Sequence, residues 1–214
     1  SGMYWNKYKK TSDRWTGVNA RKGGNVSPIP ADHSQNLTGI WPKKVVNYKT
    51  VMSDAASGFT SVTYPFPVIR MADLYLMYAE ALNEKGEDYA TVLPWIDMVR
   101  ERSGLKGVKE SWDQYVGNSK YATQTGLRQI IMQERRIELA FEGHYFWDVR
   151  RWKTATTELT QPLTGWKVRY GETDVDYYSE NLVLVRDFTP KMYFWPIDIG
   201  ELRKDPNLVQ NYGW

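Results

Sequence analysis

The chain has 214 residues, 42% of them hydrophobic, and its 28 Lys and Arg against 25 Asp and Glu leave a net charge of +3. That is enough apolar material for a folded core, and no run approaches the roughly 18 apolar residues of a membrane span. The charges are mixed along the chain and not gathered on one basic face, so nucleic acid is not an expected partner. The absence of Cys removes disulfides, thiolate metal sites and a Cys nucleophile.

Residues 1–66 are rich in Gly, Lys, Ser, Thr, Asn and Pro, and no helical period survives more than a turn. Isolated aromatics such as Trp5, Trp15 and Trp41 stand in this polar background. The segment is expected to form ordered irregular loops with short strands, one of them near residues 41–49. At Pro65-Phe66-Pro67 the pattern changes, and residues 67–155 read as a helical core.

Pro67 suits a helix entry, and residues 70–85 follow without a breaker. Apolar residues cover most of this helix, which marks it as sandwiched between neighbours, and Gly86 is its expected stop. A second helix is expected to start near residues 91–94. Val92, Trp95, Ile96 and Val99 give its i, i+3, i+4, i+7 stripe, and Gly104 ends it. The two form an antiparallel helical hairpin. After a polar loop, a third helix spans about 126–142, Gly143 ends or kinks it, and a short fourth covers 145–153. In residues 156–214 the period is lost. Short strands are expected at 165–170 and 182–185, an extended aromatic run at 192–195, and a turn at 205–207.

The third helix holds the most informative pattern. Leu127, Ile130, Ile131, Ile137 and Phe141 fall on one face, with Glu134 and Glu138 in its middle. A carboxylate carried into an apolar interface must meet a cation or several donors, or lose its charge. Arg135, Arg136, Arg150 and Arg151 nearby, with Arg100 and Arg102 upstream, are the expected partners, giving structural ion pairs. The sharper alternative is the acid and base of a glycoside hydrolase, which needs two carboxylates about 5–10 Å apart across a cleft. Two histidines, His33 and His144, give no basis for a His-based metal cluster, and Asp174–Asp176 lacks the ligand order of a calcium loop.

Several segments together resemble the C-terminal region of the SusD/RagB family. They are Pro67–Arg70 leading into Leu74–Ala81, Val99–Leu105, Glu134–Gly143 with Phe146–Asp148 and Arg150–Trp152, then Trp195–Ile197 and Asn207–Trp214. Asp198 replaces a frequent Pro of the family, and Tyr145 a frequent Arg. The resemblance implies a mainly α fold: a helical hairpin like tetratricopeptide units, two further helices, long irregular loops and a few short β-strands. It also implies non-catalytic capture of an oligosaccharide at the outer-membrane surface, by a lipoprotein whose anchor is not in this chain. The implied partner is a SusC-like TonB-dependent transporter, and no cofactor is implied. Peptide capture, as in RagB-like members, is the alternative within the family.

Sugar rings present apolar C–H faces that stack on flat aromatic side chains. Trp5, Trp15 and Trp41 in the first loops, and Tyr177 and Tyr178 in a late one, are the stacking candidates, with plain burial as the alternative for each. Trp95, Trp147 and Trp152 lie on helical faces and are expected in the core.

Overall fold

The computed structural model describes residues 65–168 and 171–214 throughout, residues 38, 42, 44, 47, 49, 50, 62 and 63, and the backbone at 5–6, 16–17, 51–52 and 59–60. The chain divides into two compact units, one of residues 65–148 and one of residues 1–64 with 149–214. The three expected segments thus regroup, because the first and last share one unit.

In the unit of residues 65–148, helix α1 is Met71–Lys85. It contains no β-branched residue, and its Ala, Leu, Met and Glu favour the helix. Gly86 ends it in the left-handed region (φ 88°), and Glu87 N–H donates to the Leu82 carbonyl at 3.1 Å, closing the helix end. Helix α2, Tyr89–Arg102, begins ahead of the expected residues 91–94. Asp88 sets the start by accepting from Thr91 N–H at 2.8 Å, and Pro94 is carried inside the helix. A connection of three residues brings α2 back antiparallel to α1.

The expected polar loop contains short helical pieces. Helix α3, Val108–Ser111, runs into a π turn at Trp112–Val116, and a 3-10 turn follows at Lys120–Ala122. No apolar period announces them. Side-chain bonds hold them, including Lys109–Asp113 at 2.5 Å and Tyr121 hydroxyl to Asp113 at 2.8 Å. Helix α4, Gln124–Glu138, is capped by Thr123, which accepts from Gly126 N–H at 3.1 Å. Leu76 and Ala79 of α1, Val92 and Ile96 of α2, and Leu127 and Ile131 of α4 form the centre of one apolar core.

The chain then leaves helix through two left-handed residues, Phe141 (φ 65°) and Gly143 (φ 82°). Helix α5, His144–Arg151, follows. Two sequence expectations fail here. Ile137 and Phe141 are 60% and 65% exposed, because α4 stops at Glu138 and its buried face is turned to include Arg135. On a period of about 100°, Ile137 falls roughly 80° to one side of Leu127 and Arg135 roughly 80° to the other. The face accepts Arg135 because that residue brings its own carboxylate partners. Trp147, expected in the core, is 59% exposed.

In the other unit, strands β1 (Trp5–Asn6) and β2 (Thr16–Gly17) pair antiparallel, as do β3 (Val51–Met52) and β4 (Phe59–Thr60). Helix α6 is Ala155–Glu158. Strand β5, Leu163–Trp166, pairs antiparallel with β6, Glu180–Leu184, and helix α7, Asp174–Tyr177, lies between them in sequence. Both strands begin two residues before the expected positions. A 3-10 turn at Pro190–Tyr193 replaces the start of the expected extended run. Helix α8, Ile199–Lys204, starts on Asp198, which accepts from Gly200 N–H at 2.7 Å. Side-chain caps start α7 and α8, whereas α6 and the 3-10 turn have none, and each is too short for a periodicity to register.

Candidate functional site

The glutamates of α4 were the first candidates. Glu134 pairs with Arg100, which also donates to Ser111 Oγ at 3.0 Å. Glu138 receives Arg70 at 2.5 Å and Arg102 at 2.7 Å. Arg70 also grips Glu142 with two bonds of 2.7 and 2.8 Å and donates to the Glu138 carbonyl. Burial opposes the charge on Arg70, but the bonds from Glu142 and Glu138 outweigh it and raise its pKa. Burial is the larger influence at Glu134. It pushes that carboxyl up although Arg100 pulls it down, and the like charges of Asp97 and Glu138 add to the rise. The two directions are compatible: a short ion pair offsets the desolvation of an acid without cancelling it.

A second cluster was not foreseen as a pairing. Arg135 is 3% exposed, and its guanidinium donates to Asp73 at 2.9 Å and to both oxygens of Asp148 at 3.1 and 3.2 Å. The fork geometry of arginine suits this double engagement. Asp73 and Asp148 sit in the first turn of α1 and halfway along α5, so the cluster ties α1, α4 and α5 together. Arg150, expected to serve the glutamates, donates to the Tyr193 carbonyl at 2.7 Å and stands over the Phe188 and Trp195 rings. Arg151 stands over the Trp152 ring at 4.8 Å.

The aromatic candidates lie in the unit with residues 149–214. Trp15 and Trp41 fall outside the described residues, and Trp5 is described only by its backbone in β1. Tyr177 is 7% exposed while Tyr178 is 57% exposed, so the outward ring of this pair is Tyr178. Its position is built locally. Thr173 caps α7 by accepting from Asp176 N–H at 3.1 Å. Lys167 N–H donates to the Tyr177 carbonyl at 3.0 Å, and the Lys167 ammonium meets Asp176 at 2.9 Å. Gly171 permits the crossing, since a Cβ there would lie 2.5 Å from Tyr177 Cα.

These bonds carry Tyr178 to Trp166 at the end of β5. The two rings meet nearly perpendicular, 82° apart with centroids at 5.5 Å, and Tyr177 packs edge-on beneath Tyr178 at 5.0 Å. Trp166 is 38% exposed. The result is an open aromatic corner. The sequence pattern places Trp166 in a strand and gives no sign of a site residue there. The missed signal is its position next to the hairpin end, opposite residue 180, where a side chain projects outward.

A concavity of about 640 Å³ in the other unit is lined by Asp97, Gly107, Lys109, Glu110, Asp113 and Gln114. Burial pushes Asp97 up, against the Val108 N–H that it accepts at 2.7 Å. With no aromatic in its lining, this concavity offers a sugar no stacking surface. Among the described residues no group of His, Asp or Glu is arranged to hold a metal ion.

The cluster of arginines and acids and the hairpin of α1 and α2 belong to a known class. The SusD family model matches residues 1–214, and the chain belongs to this family. It is 39% identical to SusD-like protein P25 of Formosa agariphila over 144 residues, 67% of this chain and 23% of that protein. To SusD-like protein P2 of the same organism it is 37% identical over 133 residues, 62% of this chain and 26% of that protein. The chain therefore spans about a quarter of the length of these curated relatives. Among solved structures, BT4246 in its selenomethionine form overlays with a TM-score of 0.74 at 26% identity, over 87% of this chain and 31% of that one. A SusD-like carbohydrate binding protein of Bacteroides fragilis overlays with a TM-score of 0.53 at 31% identity, over 67% of this chain and 28% of that one.

Proposed function

We propose that this chain is part of a non-catalytic carbohydrate-binding protein of the outer-membrane surface, which captures an oligosaccharide and passes it to a SusC-like TonB-dependent transporter. The observation that carries the reading is the exposed corner of Trp166 and Tyr178. A pyranose packs its C–H face on one ring while the perpendicular ring limits its slide, and large rigid aromatics give contact area at low entropic cost. The carbohydrate-binding relative from Bacteroides fragilis supports the ligand class. Glu134 and Glu138 are held by arginines, whereas a general acid and base must face their substrate. That arrangement supports binding without bond cleavage.

Native electrophoresis in gels cast with starch, xylan, laminarin or pectin tests the reading. At least one polysaccharide is expected to retard the chain, and Trp166→Ala with Tyr178→Ala to restore free migration, with no reducing ends released from the polymer. Retardation that survives both substitutions, or release of reducing ends that Glu134→Gln abolishes, contradicts it.

A further inference from the structure

Resting on the carbohydrate reading above, we propose that Glu180 is a ligand-binding carboxylate of the same site. It takes hydroxyl groups of a neutral or amino-bearing sugar seated against Trp166 and Tyr178, and it turns away uronic and sulfated sugars. The register places it there. Glu180 is the direct cross-strand partner of Trp166, and such partners project from the same face with Cβ atoms about 4.5–5.5 Å apart. Period two puts Leu182 and Leu184 on that face, opposite Thr164 and Leu163. Leu163, Leu182 and Leu184 are 40%, 57% and 52% exposed. Glu180 is therefore the single charge on an outward hairpin face that is otherwise apolar apart from Thr164.

The neighbouring carboxylate is differently employed. Asp176 is bound by Lys167 and by Glu172 N–H, which fixes α7. The Glu180 carboxylate has no ion-pair or hydrogen-bond partner among the described residues. An ionised carboxylate only accepts, and adjacent sugar hydroxyls supply two donors at the spacing of its two oxygens. Charge-assisted bonds of this kind are short and strong. The same charge repels a carboxylate or sulfate on the ligand. Besides Glu180, residues 163–184 hold three acidic and two basic residues, so the net charge of this stretch has the same sign. An edge strand also uses charge to discourage pairing with other chains, and that role alone makes no demand on the ligand.

A glycan microarray carrying neutral, amino, uronic and sulfated oligosaccharides separates the possibilities, with wild type, Glu180→Ala, Glu180→Gln and the Trp166→Ala/Tyr178→Ala double variant compared on it. Glu180 is exposed, so its variants are expected to fold, and circular dichroism checks this. Wild type is expected to hold neutral or amino glycans. Glu180→Ala should weaken them about tenfold or more, the usual scale for losing a bond to a charged group. Glu180→Gln should raise uronic or sulfated glycans relative to neutral ones. Binding lost in the double variant but indifferent to Glu180→Ala overturns this inference alone, as does wild-type preference for uronic or sulfated glycans. An array on which no glycan is held, or on which the double variant binds as wild type does, overturns the carbohydrate reading and this inference with it.

Discussion

At Arg135, one guanidinium answers two buried carboxylates, Asp73 at 7% and Asp148 at 5% exposure. Replacing it with Met keeps the volume and takes the guanidinium away from both acids. Arg135→Met is expected to cost about 3–5 kcal/mol in urea unfolding. Arg135→Lys should recover little, because a single ammonium cannot span the fork geometry; a variant within about 1 kcal/mol of wild type would contradict the cluster's structural role. Glu134 behaves differently. Its folded pKa is raised, chiefly by burial, so folding takes up a proton there. The stability linked to this group is fully present below its unfolded value of about 4.3 and is lost as pH rises through the folded value. Glu134→Gln removes that dependence. The fall in melting temperature as pH rises above about 4.3 should therefore be smaller in the variant than in wild type. A larger fall would mean that Arg100, and not burial, controls the group.

At the scale of elements, α4 shows packing overruling propensity. Gly126 stands in its first turn, and an added Cβ would lie 2.0 Å from the Lys120 carbonyl and 2.7 Å from Thr123 Oγ1. Ala at a helical position ordinarily gains about 1 kcal/mol over Gly. Here the opposite sign is expected: Gly126→Ala should lower the melting temperature, and a rise would show that the 3-10 turn yields at no cost. The long helices were legible because each repeats an apolar stripe over several turns, and α1 and α2 also end in recognisable caps. Arg135 was not read as core, since an arginine enters an interior only when its partners, far away in sequence, are known. The pieces α3, α7 and α8 span four to six residues each, too few for a period to register. The aromatic corner depended on the register of β5 and β6 and on the crossing at Gly171, neither of which adjacent residues encode. Tyr178 was found from its loop context; Trp166 needed the hairpin.

At the scale of the molecule, different work is expected of the two units. Residues 65–148 hold a helical core threaded by arginines and acids, where removing one charge disturbs folding. The unit with residues 149–214 carries exposed aromatics on a small hairpin, where removing a ring is expected to disturb binding and leave folding intact. Trp166→Ala should accordingly shift the melting temperature little while abolishing retention by polysaccharide, whereas Glu138→Ala should cost about 1–3 kcal/mol by removing the carboxylate that joins Arg70 to Arg102, with Arg70 keeping Glu142. The reverse pattern would exchange the roles assigned to the two regions.

The central claim, that the glutamates are scaffold and the aromatic corner is the binding surface, is tested most directly by a crystal structure of the chain soaked with an oligosaccharide that it retains. A sugar ring within about 4 Å of Trp166 and Tyr178, with Glu134 and Glu138 still held by their arginines, is the predicted result. A sugar lodged between Glu134 and Glu138, with Arg100 and Arg70 displaced, would contradict it.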